Sequence, residues 1–326
     1  MNAAPKQRKK SGNADDKAAG VAANPGWTVY ALLVVSMALW GGTWPVGRVV
    51  AASVNPWNAA FLRFIMATTA LVVICLQAKG RGALRVRRGL LPQLLMLGAT
   101  GIFGYSFLFF SGLQTTPAGR AGLIVGCIPV SIALFSSLFS RKRLPLLGLA
   151  GILLSLVGVS VVISNGNPLV LLHGKVRAGD LMILGCVFCW TAYTLLARPV
   201  MKELSPLVAL TWSCIMGTLL ILPFALAGGL WQDITGARWA EWGGLAYLGV
   251  VATSLAYYWY YNAIRHVGPV GAGIFINLVP LFAVLLGCIF LNEPLYISQI
   301  LGGIMVISGV VITVRASNSQ KPRSRS

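Results

Sequence analysis

Aromatic side chains at helical spacing are the part of this sequence best suited to chemistry, and that chemistry is solute recognition rather than bond making. Trp40 and Trp44 are four residues apart, Trp190 and Tyr193 three, and Tyr105 and Phe109 four. Each spacing puts its pair on one helix face. The run Tyr257-Tyr258-Trp259-Tyr260-Tyr261-Asn262 does the same for Tyr257 and Tyr261. Pockets for small solutes are mostly apolar and aromatic with a few polar groups, and ring faces also attract cations. Trp40, Trp44, Tyr105, Trp190, Tyr193, Tyr257 and Tyr261 are therefore the candidate lining. Asn277, three residues before Pro280, is an amide that serves either a cavity or an interhelical bond. Covalent or metal chemistry finds no constellation. His173 and His266 are the two histidines, with no HExxH or GxSxG motif, and the Cys186/Cys189 CxxC has neither a second pair nor a neighbouring histidine. Neither a metal nor a cofactor is expected.

The elements that must position these residues follow from composition. Of 326 residues, 57% are hydrophobic and 10% charged, against roughly 25% charged in soluble domains. The apolar residues come in blocks of about 20, the length a helix needs to cross a bilayer core. The blocks predict ten transmembrane helices at 28–50, 58–78, 91–111, 117–140, 146–163, 179–198, 206–227, 243–263, 270–291 and 297–315. The net charge of +19 does not signal nucleic acid, because the basic residues sit between the blocks and in the two tails. That is the pattern of cytoplasmic loops facing lipid headgroups. With both termini inside, most of the 26 Lys and Arg fall in inside segments: the N-tail, 79–89, 141–145, 198–205, 264–269 and the C-tail. The chain reads as a multi-pass inner-membrane protein with cytoplasmic ends. Residues 1–27 and 316–326 read as disordered basic tails at the membrane surface. Trp27, Trp57, Trp231, Trp239 and Trp242, near span ends, read as interfacial belt residues.

Charges inside this frame are few. Arg63 lies about five residues into the second span and Arg120 near the outer start of the fourth. An intramembrane charge is costly and usually faces a cavity, so either could meet a solute carboxylate; both are also close enough to the surface to snorkel. Arg48 and Arg198 read as anchors at helix ends. Asp180 and Glu293 stand at outer span ends and are the candidates for any coupling to protons.

Sliding the second half over the first by 150 residues brings Trp40 onto Trp190, Arg48 onto Arg198, Pro56 onto Pro206 and Ala59 onto Ala209. One residue further, Gly98 meets Gly249, Gly122 meets Gly273, Pro129 meets Pro280, Gly151 meets Gly302 and Gly158 meets Gly309. The repeats are 28–163 and 179–315, joined by an outer linker at 164–178. Five spans per unit is an odd number, so the second copy enters the membrane from the opposite side. Inverted repeats of this kind are the basis of alternating access. Pro129 and Pro280, mid-span, would kink their helices and free the carbonyls of Val125 and Ile276, serving a cavity or packing alone. Gly151, Ser155 and Gly158 form a small-residue face that fits oligomer contact or internal packing equally well.

Leu39-Trp40-Gly41-Gly42-Thr43 with Arg48, then Gly179-Asp180-Leu181 with Trp190, Tyr193 and Arg198, and finally Pro280, Asn292-Glu293-Pro294-Leu295, Gly302 and Gly309, resemble in order and spacing the drug/metabolite transporter superfamily, EamA-domain type. The resemblance covers roughly 28–315. It implies a ten-helix carrier, commonly an exporter of amino acids, metabolites or toxic compounds. One departure is that the first repeat carries Arg141-Lys142 where the second carries Asn292-Glu293, which argues against a symmetric pair of acids. The function expected is secondary transport of an amino acid or related small metabolite, with an aromatic or apolar body. The competing readings are a membrane enzyme, which lacks convergent groups, and a regulatory or assembly protein without flux, which lacks the large soluble domain such a role would require.

Overall fold

The computed structural model of the chain describes residues 27–80, 82, 84–140, 145–167, 177–260, 263, 275–276 and 278–319, and among them it is helical without strands. Helix α1 (Trp27–Ala51) leads into α2 (Pro56–Lys79) through a turn that Asn55-Pro56 prescribes. The Asn55 side chain accepts from Trp57 N at 2.9 Å, and Pro56 occupies the first turn, where its missing N–H leaves nothing unbonded. Gly80, at φ 76°, ends α2 in a conformation that other residues rarely adopt.

The next span is continuous but changes pitch. It comprises α3 (Leu91–Leu97), a π-helical stretch π1 (Gly98–Gly104) and α4 (Tyr105–Leu113). The fourth is interrupted, with α5 (Ala118–Val125) giving way to α6 (Ile128–Ser140). Then come α7 (Leu146–Ser164), α8 (Ala178–Val200), α9 (Pro206–Ala227) and the short α10 (Leu230–Gly236). Helix α11 (Trp239–Ala246) runs into a second π-helical stretch, π2 (Tyr247–Leu255). Last are α12 (Leu278–Leu291) and α13 (Ile297–Ser319). Six of the described helices are long and apolar enough to cross a membrane, and 146–162, 278–291 and 297–313 are shorter apolar helices. The outward faces of these helices carry exposed Leu153, Leu156, Leu219, Leu285, Phe290 and Ile304. An apolar exterior of this extent suits lipid, not water.

Small residues set the closest crossings. Gly151 abuts the backbone of Gly309, and Gly158 that of Gly302, so α7 and α13 run antiparallel, and the small-residue face of α7 is used inside the molecule. Gly98 in π1 packs on the backbone of Gly217 in α9, while Gly249 in π2 packs on the carbonyl of Arg63 and the side chain of Met66 in α2. Between α2 and α9, the hydroxyls of Thr68 and Thr218 meet at 3.1 Å. The α7–α13 crossing exchanges positions matched by the repeat offset, Thr68 and Thr218 are themselves matched, and Gly98 and Gly249 each meet a matched methionine, Met216 and Met66.

The two prolines differ from the mid-helix kinks expected. Pro129 is the second residue of α6, following the break at 126–127, and Pro280 is the third residue of α12. A proline in the first turn breaks no internal bond, so each marks a restart of its helix. Gly126 provides the room, its Cα facing the buried Pro280 ring.

Candidate functional site

The tryptophans and tyrosines singled out from the sequence divide between core and chamber. Trp44 is 2% exposed and packs on Phe109 at 5.0 Å and beside Gly122. It belongs to the core, correcting its assignment to the lining. Trp40 donates Nε1 to the Ala252 carbonyl at 2.9 Å and sits against Tyr257 and Tyr260, with centroids 4.9 and 5.2 Å away. It ties α1 to π2 and backs the chamber from behind Tyr257. Tyr105, Trp190, Tyr193 and Tyr257 do converge, together with Arg63, Phe64, Gly101, Ile102, Leu210 and Thr253, around a cavity of about 30 Å³. The ring centroids of Tyr105 and Trp190 are 5.3 Å apart, and those of Trp190 and Tyr193 5.4 Å. Tyr261 and Asn277 lie outside the described residues, as do His173, His266, Arg141 and Lys142.

Phe64, Gly101, Ile102, Leu210 and Thr253 were not singled out from the sequence. Gly101 is needed because any Cβ there would collide with the Tyr193 ring. Thr253 sits in π2, where its hydroxyl donates to the Leu248 carbonyl five residues back at 2.7 Å. The signal available was the repeat itself, since Ile102 and Thr253 are equivalent at an offset of 151 and both face the chamber. Both widened stretches thus contribute to one cavity, a common use of π-helical turns.

Among the described residues, Arg63 is the one charged group in this wall. Its Nε and Nη1 are buried and unbonded, and Nη2 reaches only Thr253 Oγ1 at 3.4 Å. The guanidinium lies 5.0 Å from the centre of the Phe64 ring and 5.5 Å from that of Phe109.

The described acids other than Glu203, with the arginines that pair with them, are gathered at one end of the bundle. Arg48 pairs with Glu293, which also accepts from Ala118 N at 2.8 Å and Gly119 N at 3.0 Å. Asn292 at φ 50° turns the chain so that this carboxylate caps α5. Arg48 is therefore an ion-pair partner, with a side chain 37% exposed, rather than a plain anchor. Arg120 neither snorkels nor stands free. It meets Asp180 through Nε at 2.9 Å and Nη2 at 2.5 Å, with Thr116 bonding the same carboxylate at 3.1 Å and Asn165 accepting from Nη1 at 3.1 Å. Arg238 pairs with Glu241, to which Ser53 donates at 2.9 Å, and Asn58 donates to Asp233 at 2.7 Å. A recess of about 190 Å³ opens here, lined by Ser53, Asp233, Arg238 and Glu241. Its carboxylates are already engaged, so the smaller aromatic chamber is the better candidate for a solute. Of the residues expected at the interface, Trp27, Trp231 and Trp239 are exposed. Trp57 instead stacks on Phe107 and Phe224 at 4.1 and 4.6 Å, and Trp242 packs on the core.

Apolar-faced helices closing around a small aromatic chamber define a membrane-embedded helical protein. The chain belongs to the EamA-like transporter family, whose model matches residues 27–164 and again 177–315. Among its relatives are two Bacillus subtilis transporters. YyaM is 25% identical over 87% of this chain and 92% of its own, and YetK 28% identical over 91% and 90%. A protein of Streptantibioticus cattleyicolor named "Probable terminal-alkyne amino-acid exporter" is 24% identical over 87% of this chain and 92% of its own. A solved crystal structure, 20% identical, superposes with a TM-score of 0.61 over 90% of this chain and 99% of its own, a likeness of fold.

Proposed function

We propose that this chain is a secondary transporter of the inner membrane that exports amino acids or related small metabolites, working by alternating access between two inverted five-helix repeats with both termini in the cytoplasm. The observation that carries the reading is the chamber. It draws Arg63, Tyr105, Trp190, Tyr193 and Tyr257 from elements on both sides of the repeat boundary, flanked by two π-helical stretches at equivalent positions. Two near-equivalent halves give one chain two packings of similar energy, each opening the chamber to one side. A cavity of about 30 Å³ holds little more than a water molecule, so in this state the solute is excluded and loading requires the halves to part. The two-fold match of the family model and the amino-acid exporter among the relatives support the same reading.

The test is saturable uptake into vesicles containing the purified protein, across a panel of labelled amino acids and with competition by analogues. Flux that saturates and is competed supports transport. Absence of flux across the panel overturns it. Thiol labelling from each side checks the orientation, with 79–89 and 264–269 expected on the cytoplasmic face.

A further inference from the structure

We infer that Arg63 is the carboxylate-recognition residue of the chamber, so that the transported class is small monocarboxylates with an apolar or aromatic body, to the exclusion of cations. This rests on the transporter reading above and names its substrate class.

Three observations converge. First, the half-buried Arg63 side chain has unspent donors: Nε and Nη1 are buried and unbonded, and Nη2 makes one long contact. A polar group in such a place is normally satisfied. Second, the same molecule shows what a satisfied buried arginine looks like. Arg120 is held by both oxygens of Asp180 and by Asn165. Among the described residues no carboxylate is left over for Arg63. Asp180, Asp233, Glu241 and Glu293 are bonded at the polar end, and Glu203 is exposed in the turn after α8. Third, the charge is not a structural requirement of both halves. The position equivalent to Arg63 is Ser213, whose hydroxyl is spent on the Ala209 carbonyl at 2.7 Å.

The surroundings define the rest of the solute. The rings of Phe64 and Phe109 offset part of the charge from their faces, and Tyr105, Trp190, Tyr193 and Leu210 complete an apolar wall. A carboxylate meeting the guanidinium forms charge-assisted bonds in a water-poor site, where they are strongest. Its apolar body lies against the rings. A cationic solute would instead face Arg63 with like charge and no acid to offset it.

The experiment uses the full chain in vesicles with phenylalanine and leucine as labelled probes, and their amides and the corresponding primary amines as competitors. The acids are expected to be taken up saturably, while amides and amines compete at least tenfold more weakly. Arg63→Gln should raise the half-saturation concentration at least tenfold, and Arg63→Lys should recover part of that loss. Monodispersity and thermal unfolding in detergent check that each variant is folded. If Arg63→Gln does not fold, the competition series on the unaltered protein decides. Equal competition by acid, amide and amine, or unchanged half-saturation in folded Arg63→Gln, overturns the inference and leaves transport standing. Absence of flux for every probe overturns the transporter reading and this inference with it.

Discussion

Trp40 and Trp190 are equivalent positions of the two halves, and they do different work. Trp190 presents its ring to the chamber between Tyr105 and Tyr193. Trp40 is committed to the Ala252 carbonyl and to two tyrosine rings. Trp190→Ala should therefore raise the half-saturation concentration for a transported solute several-fold with little change in thermal unfolding. Trp44→Ala should do the reverse, since it empties a buried site at a cost of about 3–5 kcal/mol while leaving solute affinity in the surviving folded protein unchanged. The sequence showed which residue types cluster at helical spacing, but spacing alone does not say which face looks inward. Trp44 was misplaced for that reason, because the helix it packs on, α4, is remote in sequence. A second residue-scale test concerns Glu241, ahead of the span that π2 continues. The Arg238 side chain, with help from Ser53, holds its carboxyl down to about 2 from an ordinary 4.5. A carboxyl lower in the folded than the unfolded state adds stability above its unfolded value and loses it as the pH falls toward the folded value. Thermal unfolding of the wild type should drop between about pH 5 and about pH 3, while Glu241→Gln should start lower and fall less over the same interval. Parallel curves would show that the pair contributes nothing.

At the scale of the element, the apolar blocks placed the six long described helices to within a few residues, because twenty apolar residues in lipid have few alternatives to a helix. What periodicity could not show was where those helices change pitch. The π-helical stretches at Gly98–Gly104 and Tyr247–Leu255 and the restarts before Pro129 and Pro280 arise from tertiary contact. Glycines let π1 press on Gly217 and π2 on the Arg63 carbonyl. The repeat offset did carry that information, since Gly98 and Gly249 are matched, yet a matched glycine reads equally as packing or as hinge. The α7–α13 crossing supplies a clean test. A side chain at Gly158 would meet the Gly302 carbonyl and the Val306 backbone, neither of which can yield as a side chain would. Gly158→Leu should lower the unfolding temperature and the yield of folded protein without altering the solute preference of what remains, as measured by competition in vesicles. A changed preference would mean that this crossing communicates with the chamber.

At the scale of the whole molecule, the described acids other than Glu203 form a seal at one end, and each of them accepts at least one bond from the first half of the chain. Arg48 and the amides of Ala118 and Gly119 hold Glu293, Arg120 holds Asp180, Ser53 holds Glu241, and Asn58 holds Asp233. The opposite end is closed differently, by an apolar cluster around Leu90, Leu94, Ala197 and Val200 and a bond from Trp212 Nε1 to the Leu84 carbonyl at 3.2 Å. Directional, charge-assisted bonds at one end and nondirectional apolar contact at the other make the polar end the firmer closure. In the alternating access proposed above, opening on that side separates Glu293 from the start of α5. Glu293→Gln keeps the shape of the side chain but removes the charge that Arg48 and two backbone amides share. Amide exchange over Ala118–Val125 should then accelerate at least tenfold, while the α7–α13 crossing at Gly151, Gly158, Gly302 and Gly309, away from the seal, exchanges as before. Uniform acceleration across all helices would indicate general destabilisation, and unchanged exchange at Ala118 and Gly119 would show that the carboxylate charge is not what keeps this end shut.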